Sequence, residues 1–187
     1  IQIEDSVFTR TGNAIHIYQI ATPSENYSIH IRNSRIVENF GDAISINMVG
    51  QYAYTHGHVY IVNNTVVSNG GNGINLWLAG YDELEVSRNV IRSNKGDGLH
   101  ITWFNNPPTI TDNNIAYNGG VGMYLSVVAV GFPPAYITQN YVARNGFGMV
   151  VNRESPDVSA ENPTIIFNDI HSNVEYDFKV LSEGTRK

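Results

Sequence analysis

Apolar residues in this chain come in short alternating strokes, such as Ile29-x-Ile31 and Val59-x-Ile61, not in the rhythm of an amphipathic helix. Strokes of period two predict half-buried strands, because successive side chains of a strand point to opposite faces. The strokes also recur. Aligned on one asparagine, the segments ENFGDAISI (38–46), SNGGNGINL (68–76), SNKGDGLHI (93–101), YNGGVGMYL (117–125), RNGFGMVV (144–151) and SNVEYDFKV (172–180) superimpose, with RTGNAIHI (10–17) as a degenerate first copy. The anchors Asn39, Asn69, Asn94, Asn118, Asn145 and Asn173 are 30, 25, 24, 27 and 28 residues apart. Ile31, Ile61, Val86, Ile110, Ile137 and Ile165 stand eight residues before them. Ile36, Val66, Ile91, Ile115, Val142 and Ile170 stand three before. A second polar ladder precedes that position: Ser34, Asn64, Asn89, Asn113, Asn140 and Asn168. The unit therefore reads Φ-x-Φ-x-x-N-x-Φ-x-x-N-x-G-x-G-Φ-x-Φ, followed by a loop of variable length.

Three strand strokes in a period near 25 predict a solenoid, in which each strand pairs with its equivalent one repeat later at about 4.8 Å. On these repeats the sequence resembles the pectate-lyase-like superfold, the right-handed parallel β-helix used by polysaccharide lyases, glycoside hydrolases and non-catalytic relatives. The resemblance covers essentially the whole chain. It implies an all-β solenoid of about seven coils in one domain, residues 1–187, and leaves function open because the scaffold hosts many.

Composition agrees. Ile occurs 20 times and Val 19 times against 6 Leu, which favours strands and denies a leucine-rich repeat. The 23 Asn and 17 Gly point to many sharp turns through positive φ. The first explanation of the two ladders is structural: stacked amides that satisfy buried corners. A net charge of -6 argues against nucleic acid, and no apolar stretch predicts membrane insertion. The absence of cysteine excludes disulfides and thiolate chemistry.

Function is expected on outward positions. In the strand after the glycines, one outward file runs His16, Ser45, Asn75, His100, Tyr124, Val150 and Lys179. A parallel file runs Tyr18, Asn47, Trp77, Thr102, Ser126, Asn152 and Leu181. Aromatic faces mixed with amide and hydroxyl groups suit a glycan groove. The alternative is that these rings stack on one another for stability. Trp77 and Tyr124 from the sheet, with Trp103 from the loop between them, are expected to line one groove. Asn75, Tyr18 and Lys179 complete the expected ligand-binding set. The loops at 47–58, 77–83, 102–109, 126–136 and 152–164 are the long ones, the place where repeat scaffolds carry function. Loop 126–136 is apolar and is expected to pack against the loop holding Trp103 and Phe104.

Hydrolysis of a glycosidic bond needs two carboxylates. Asp42 and Asp97 share one repeat position two coils apart, hence about 9.6 Å apart, with Asn72 between them. His100, on the strand after Asp97, joins them as a catalytic candidate. Galacturonan hydrolases of the resembled fold carry aspartates in comparable turns, followed by G-H-G and R-I-K stretches. Asp42 and Asp97 match those turns loosely, His56-Gly57-His58 matches in composition but not in chain order, and no R-I-K equivalent occurs. An aspartate before glycine is more commonly a turn residue. Lyase or epimerase chemistry would need clustered cations or a bound metal. Lys179 is the one basic residue in the two files, and Asp5, Glu25, Glu83 and Glu85 look scattered, so no metal and no cofactor is expected.

Two sequons, Asn26-Tyr27-Ser28 and Asn63-Asn64-Thr65, favour an extracellular or cell-surface setting. Strand pattern begins at Ile1-Gln2-Ile3 and only LSEGTRK closes the chain. The expectation is therefore a segment of a longer protein, or association through the solenoid ends. The leading reading is a non-catalytic module binding glycan or a protein partner. The runner-up is a polysaccharide-active enzyme using Asp42 and Asp97.

Overall fold

The computed structural model describes residues 1–20, 26–49, 56–78, 83–103, 107–127, 135–153 and 163–182. The first coil is β1 (Gln2–Glu4), β2 (Val7–Thr9) and β3 (Ile15–Ile20); the second is β4 (Asn26–Arg32), β5 (Arg35–Val37) and β6 (Ile44–Val49). Next come β7 (His56–Val62), β8 (Thr65–Val67) and β9 (Ile74–Leu78), then β10 (Glu83–Ser87), β11 (Val90–Arg92) and β12 (Leu99–Trp103). The fifth coil is β13 (Thr109–Thr111), β14 (Asn114–Ala116) and β15 (Val121–Val127). The last two are β16 (Tyr136–Thr138), β17 (Tyr141–Ala143) and β18 (Phe147–Arg153), then β19 (Thr164–Ile166), β20 (Asp169–His171) and β21 (Phe178–Ser182).

First, second and third strands of successive coils stack into three parallel sheets of seven strands, here called A, B and C. The registers are those the repeat predicts. Ile31, Ile61, Val86, Ile110, Ile137 and Ile165 stack in sheet A, and Ile36, Val66, Ile91, Ile115, Val142 and Ile170 in sheet B. These files point inward and fill one continuous core. Each Val, Leu or Ile so enclosed stabilises the fold by about 1.5–3 kcal/mol. The expected count of about seven coils resolves into five turns with a neighbour on both sides and two open end rungs. On the last rung the inward positions Phe178 and Val180 are 47% and 55% exposed.

Two corners hold the cross-section constant. Sheet A passes to sheet B through two residues in every coil. Ser34, Asn64, Asn89, Asn113, Asn140 and Asn168 line that corner, and the anchor asparagines line the corner from B to C. Each amide does the same work. Asn69 donates from its backbone N and from Nδ2 to Asn94 Oδ1 (3.0 and 2.8 Å), while Asn94 Nδ2 donates to Val66 O (3.2 Å) and Asn118 Oδ1 (3.0 Å). The stack satisfies backbone groups that the two sharp corners would otherwise bury unpaired.

The ladders also enforce an unusual backbone. The residue before every ladder position has φ between 49° and 60°, including Arg88, Tyr117 and Phe167. A non-glycine residue there costs about 1–3 kcal/mol and persists where its surroundings over-determine it. Asparagine and glycine were expected to supply these turns; Asn33 and Asn63 do, but none of the described glycines has φ in that left-handed range. Their role is close approach. A Cβ on Gly98 would lie 2.6 Å from Ile115 Cγ2 and 2.7 Å from both Asn118 Nδ2 and Gly122 O.

Candidate functional site

The predicted outward files on sheet C are present in register. His16, Ser45, Asn75, His100, Tyr124, Val150 and Lys179 are strand partners in that order, and so are Tyr18, Asn47, Trp77, Thr102, Ser126, Asn152 and Leu181. Their exposure is uneven. Tyr18 is 58% exposed and Lys179 is exposed. Asn75, Trp77, His100 and Tyr124 are half-buried, and Val150 and Ser126 are buried. His100 stacks on Tyr124, with ring centroids 4.5 Å apart, and Asn152 Nδ2 donates to the Tyr124 hydroxyl at 3.0 Å. Lys179 Nζ sits 5.0 Å from the centre of the Tyr176 ring. These rings are engaged with one another along the stack.

Trp103 requires a correction. It was expected in the loop, lining a groove with Trp77 and Tyr124, but β12 runs through it. Alternation from Leu99 and Ile101 then turns it inward, where it is 5% exposed within the core. Phe104, the apolar segment 128–134 and the side chains of Asn26 and His56 lie outside what the structure describes.

Asp42 and Asp97 form a third, shorter ladder. Asp42 N donates to Asn13 Oδ1 (3.0 Å), Asn72 N to Asp42 Oδ1 (2.7 Å), Asp97 N to Asn72 Oδ1 (2.8 Å) and Val121 N to Asp97 Oδ1 (2.7 Å). The Asn72 side chain thus stands between the two carboxylates. The remaining oxygens are engaged as well: Asn75 Nδ2 donates to Asp42 Oδ2 (3.1 Å), and His100 Nδ1 lies 2.8 Å from Asp97 Oδ2. Backbone amides hold these carboxylates as turn residues are held.

A groove lies instead on sheet A. The outward file there is His30, Tyr60, Glu85, Thr109 and Tyr136, one residue from each of five consecutive coils. A cavity of about 510 Å³ is lined by Tyr60, Glu83, Glu85, Pro107, Thr109 and Tyr136. A second, of about 270 Å³, is lined by His30, Arg32, Tyr60, Val62, Glu85 and Arg88. Tyr60 and Glu85 line both, so the two cavities lie side by side on sheet A, the first reaching across four coils and the second across three. Four strand spacings separate His30 from Tyr136, about 19 Å.

The groove's polar atoms are tied together. His58 Nδ1 lies 2.9 Å from Glu83 Oε2, and the Tyr60 hydroxyl donates to the same oxygen at 3.5 Å. Ser87 Oγ donates to Glu85 Oε1 at 2.6 Å, and Ser28 Oγ lies 2.5 Å from His30 Nε2. His58 stacks parallel to Tyr60 with centroids 6.1 Å apart, and His30 is tilted against it at 4.9 Å. Burial pushes the Tyr60 phenol above its ordinary range. The neighbouring Glu83 charge, its hydrogen bond and Glu85 push the same way. The hydroxyl therefore remains a donor at any physiological pH. Among the described residues no group of three His, Asp or Glu is placed to hold a metal ion.

The period-two rule that picks out the outward file of sheet C picks out this groove as well. The residue nine before each anchor asparagine gives the file His30, Tyr60, Glu85, Thr109 and Tyr136 directly. Glu83 and Glu85 looked scattered because their partners His58 and Tyr60 lie one coil away.

No curated protein and no solved structure matches this sequence. A family described as the right handed beta helix region matches residues 24–186, which takes in all three ladders beyond the first coil. With three parallel sheets stacked over that length, the chain belongs to the right-handed β-helix family.

Proposed function

We propose that this chain is a non-catalytic, extracellular glycan-recognition module whose ligand lies along the groove on sheet A. The observation that carries this reading is the pair of rings, Tyr60 and Tyr136, set three coils apart in one depression with Glu83, Glu85 and Thr109 between and beside them. Sugars bind through their C–H faces on aromatic rings and through hydroxyls on fixed donors and acceptors. Tyr60 offers its ring and a hydroxyl lone pair and the glutamates offer acceptors, while the rigid solenoid presents them without a folding cost. The family is shared by carbohydrate-related and protein-binding modules, and a groove of mixed polarity carrying aromatic rings favours the first.

The expected result on a glycan array is binding to one class of extended oligosaccharide. Tyr60→Ala and Tyr136→Ala should each weaken it by about two- to tenfold, since a ring contact is worth about 0.5–1.5 kcal/mol. Binding unchanged in both variants would refute the groove assignment. The hydrolase reading is tried separately. Wild type, Asp42→Asn and Asp97→Asn are incubated with plant, algal and bacterial polysaccharides, and none of the three is expected to release reducing sugar. Release by the wild type that disappears in both variants would make the protein an enzyme.

A further inference from the structure

Across the solenoid from sheet A lies the corner between sheets B and C. In coils four to six that corner and the strands leading into it, residues 90–96, 114–120 and 141–147, carry Arg92, Lys95 and Arg144 and no Asp or Glu. All three cations are exposed, and among the described residues none of them has an ion pair. Asp97, two residues beyond Lys95, is already held by Val121 N and His100. Two of the cations meet on one ring. Arg92 Cζ lies 5.2 Å and Arg144 Cζ 5.4 Å from the centre of the Tyr117 ring, and Arg144 Nη1 donates to the Tyr117 hydroxyl. The corner fixes their anchorage: Tyr117 and Arg144 have φ of 60° and 59°, and each precedes a buried ladder asparagine. The residues that continue the Lys95 file in the next two coils are Gly119 and Gly146, so no side chain stands there beside Tyr117 and Arg144.

We infer that this corner is an oxyanion site, which takes a sulfate or phosphate ester group carried on a sugar. The site lies on a different face from the groove and does not depend on what the groove binds. Two guanidiniums on one ring repel each other, and the attraction of the ring for each is weak at an exposed position. An anion between them turns that repulsion into two charge-assisted contacts, which a neutral sugar does not offer. A carboxylate has two coplanar oxygens and is matched by a single guanidinium. A sulfate or phosphate ester has three terminal oxygens pointing apart, which suits Arg92, Arg144 and Lys95 approaching from two coils and from both sides of the corner. In a chain of net charge -6 the patch is a local positive field, so it also directs where such a ligand lands.

The test is an NMR titration of the intact chain that follows the arginine Nε–H signals. The probes are glucose 6-sulfate, glucose 6-phosphate, glucuronate and glucose, at matched ionic strength. We expect at least one ester to shift Arg92 and Arg144 saturably and to bind about fivefold tighter than glucuronate, with no shift from glucose. The ester that binds the tighter tells a sulfated source from a phosphorylated one. Raising the salt should weaken binding. Arg92→Gln and Arg144→Gln should each lower the affinity for that ester about fivefold or more, and Lys95→Gln about twofold. Arg35→Gln, exposed on sheet B of the second coil, should change nothing, and neither should Tyr60→Ala across the solenoid. Glucuronate bound as tightly as both esters would overturn the inference, as would arginine variants that bind the esters like the wild type. No shift with any probe would overturn it too. So would ester binding that disappears in Tyr60→Ala, which would place the anion in the groove.

Discussion

The corner between sheets B and C and the groove on sheet A are made from the same coils, yet they use repetition in opposite ways. At the corner one residue type returns rung after rung, from Asn39 to Asn173, and its amide is buried and fully bonded within the inner turns. In the groove every rung differs: His30, Tyr60, Glu85, Thr109, Tyr136. A corner must solve one problem identically in each coil, the satisfaction of the same buried backbone groups. A groove that binds a structured ligand must present different chemistry at each step. In a solenoid, then, identity across rungs marks stability, and solvent-facing non-identity marks recognition.

That contrast can be broken at either side. The largest effect is expected at the corner, from Asn94→Ala, which strands the buried backbone N–H of Asn69 and one N–H of its amide, the other staying on Ile36 O. At about 1–3 kcal/mol for each stranded group, the loss of stability should be about 2–6 kcal/mol, read from denaturant unfolding. A loss under about 1 kcal/mol would mean the ladder is decoration. Tyr60→Ala should do the reverse, weakening ligand while shifting stability by less than about 1 kcal/mol, because its ring packs on the outer surface. The smallest effect belongs to Asp177, where the B–C ladder ends. Asn173 donates to Asp177 Oδ1 from its backbone N (3.1 Å) and from Nδ2 (2.9 Å), as the other rungs donate to the next asparagine. The side-chain donor, then the backbone donor and the nearby His171, hold the carboxyl below its ordinary value near 3.8, against the opposing pull of desolvation. A depressed folded-state pKa contributes stability above the unfolded value, and that contribution is lost as pH falls through the folded one. Melting temperatures should therefore show less acid loss below about pH 4 in Asp177→Asn than in the wild type, with the wild type slightly the more stable at pH 7 and the two converging in acid. An acid limb identical in both would show that Asp177 does not couple to folding.

How much of this was legible in the sequence follows the same division. The inward files and both ladders could be read residue by residue, because steric fit and buried amides demand the same residue at each rung. The ladder's end at Asp177 could not, since the carboxylate reaches back four residues within its own coil and breaks the period. Trp103 was misplaced because a strand's length is set by its neighbours, here Leu78 and Val127, and not by its own sequence. The left-handed corner residues were hidden by identity: nothing in Arg88, Tyr117 or Phe167 announces a positive φ. Asp42 and Asp97 look alike in a turn or in a catalytic pair, and only the hydrogen bonds from Asn72 and Val121 tell which neighbours they serve.

The two-residue passage from sheet A to sheet B never changes, whereas the passage from C to the next A strand ranges from four residues, between Leu78 and Glu83, to ten, between Arg153 and Thr164. The passage from B to C varies less, from three residues between Ala143 and Phe147 to six between Val37 and Ile44. Most tolerance for added sequence therefore lies along one edge, the edge from which the groove strands set out. Doubling a flexible connection costs only about 0.6 kcal/mol in closure entropy, less than stranding a single ladder amide. Foreign segments spliced at that edge should therefore be carried at a fixed pitch and in a chosen order. The protein could be used as a ruler, with one graft for each 4.8 Å or so of axis.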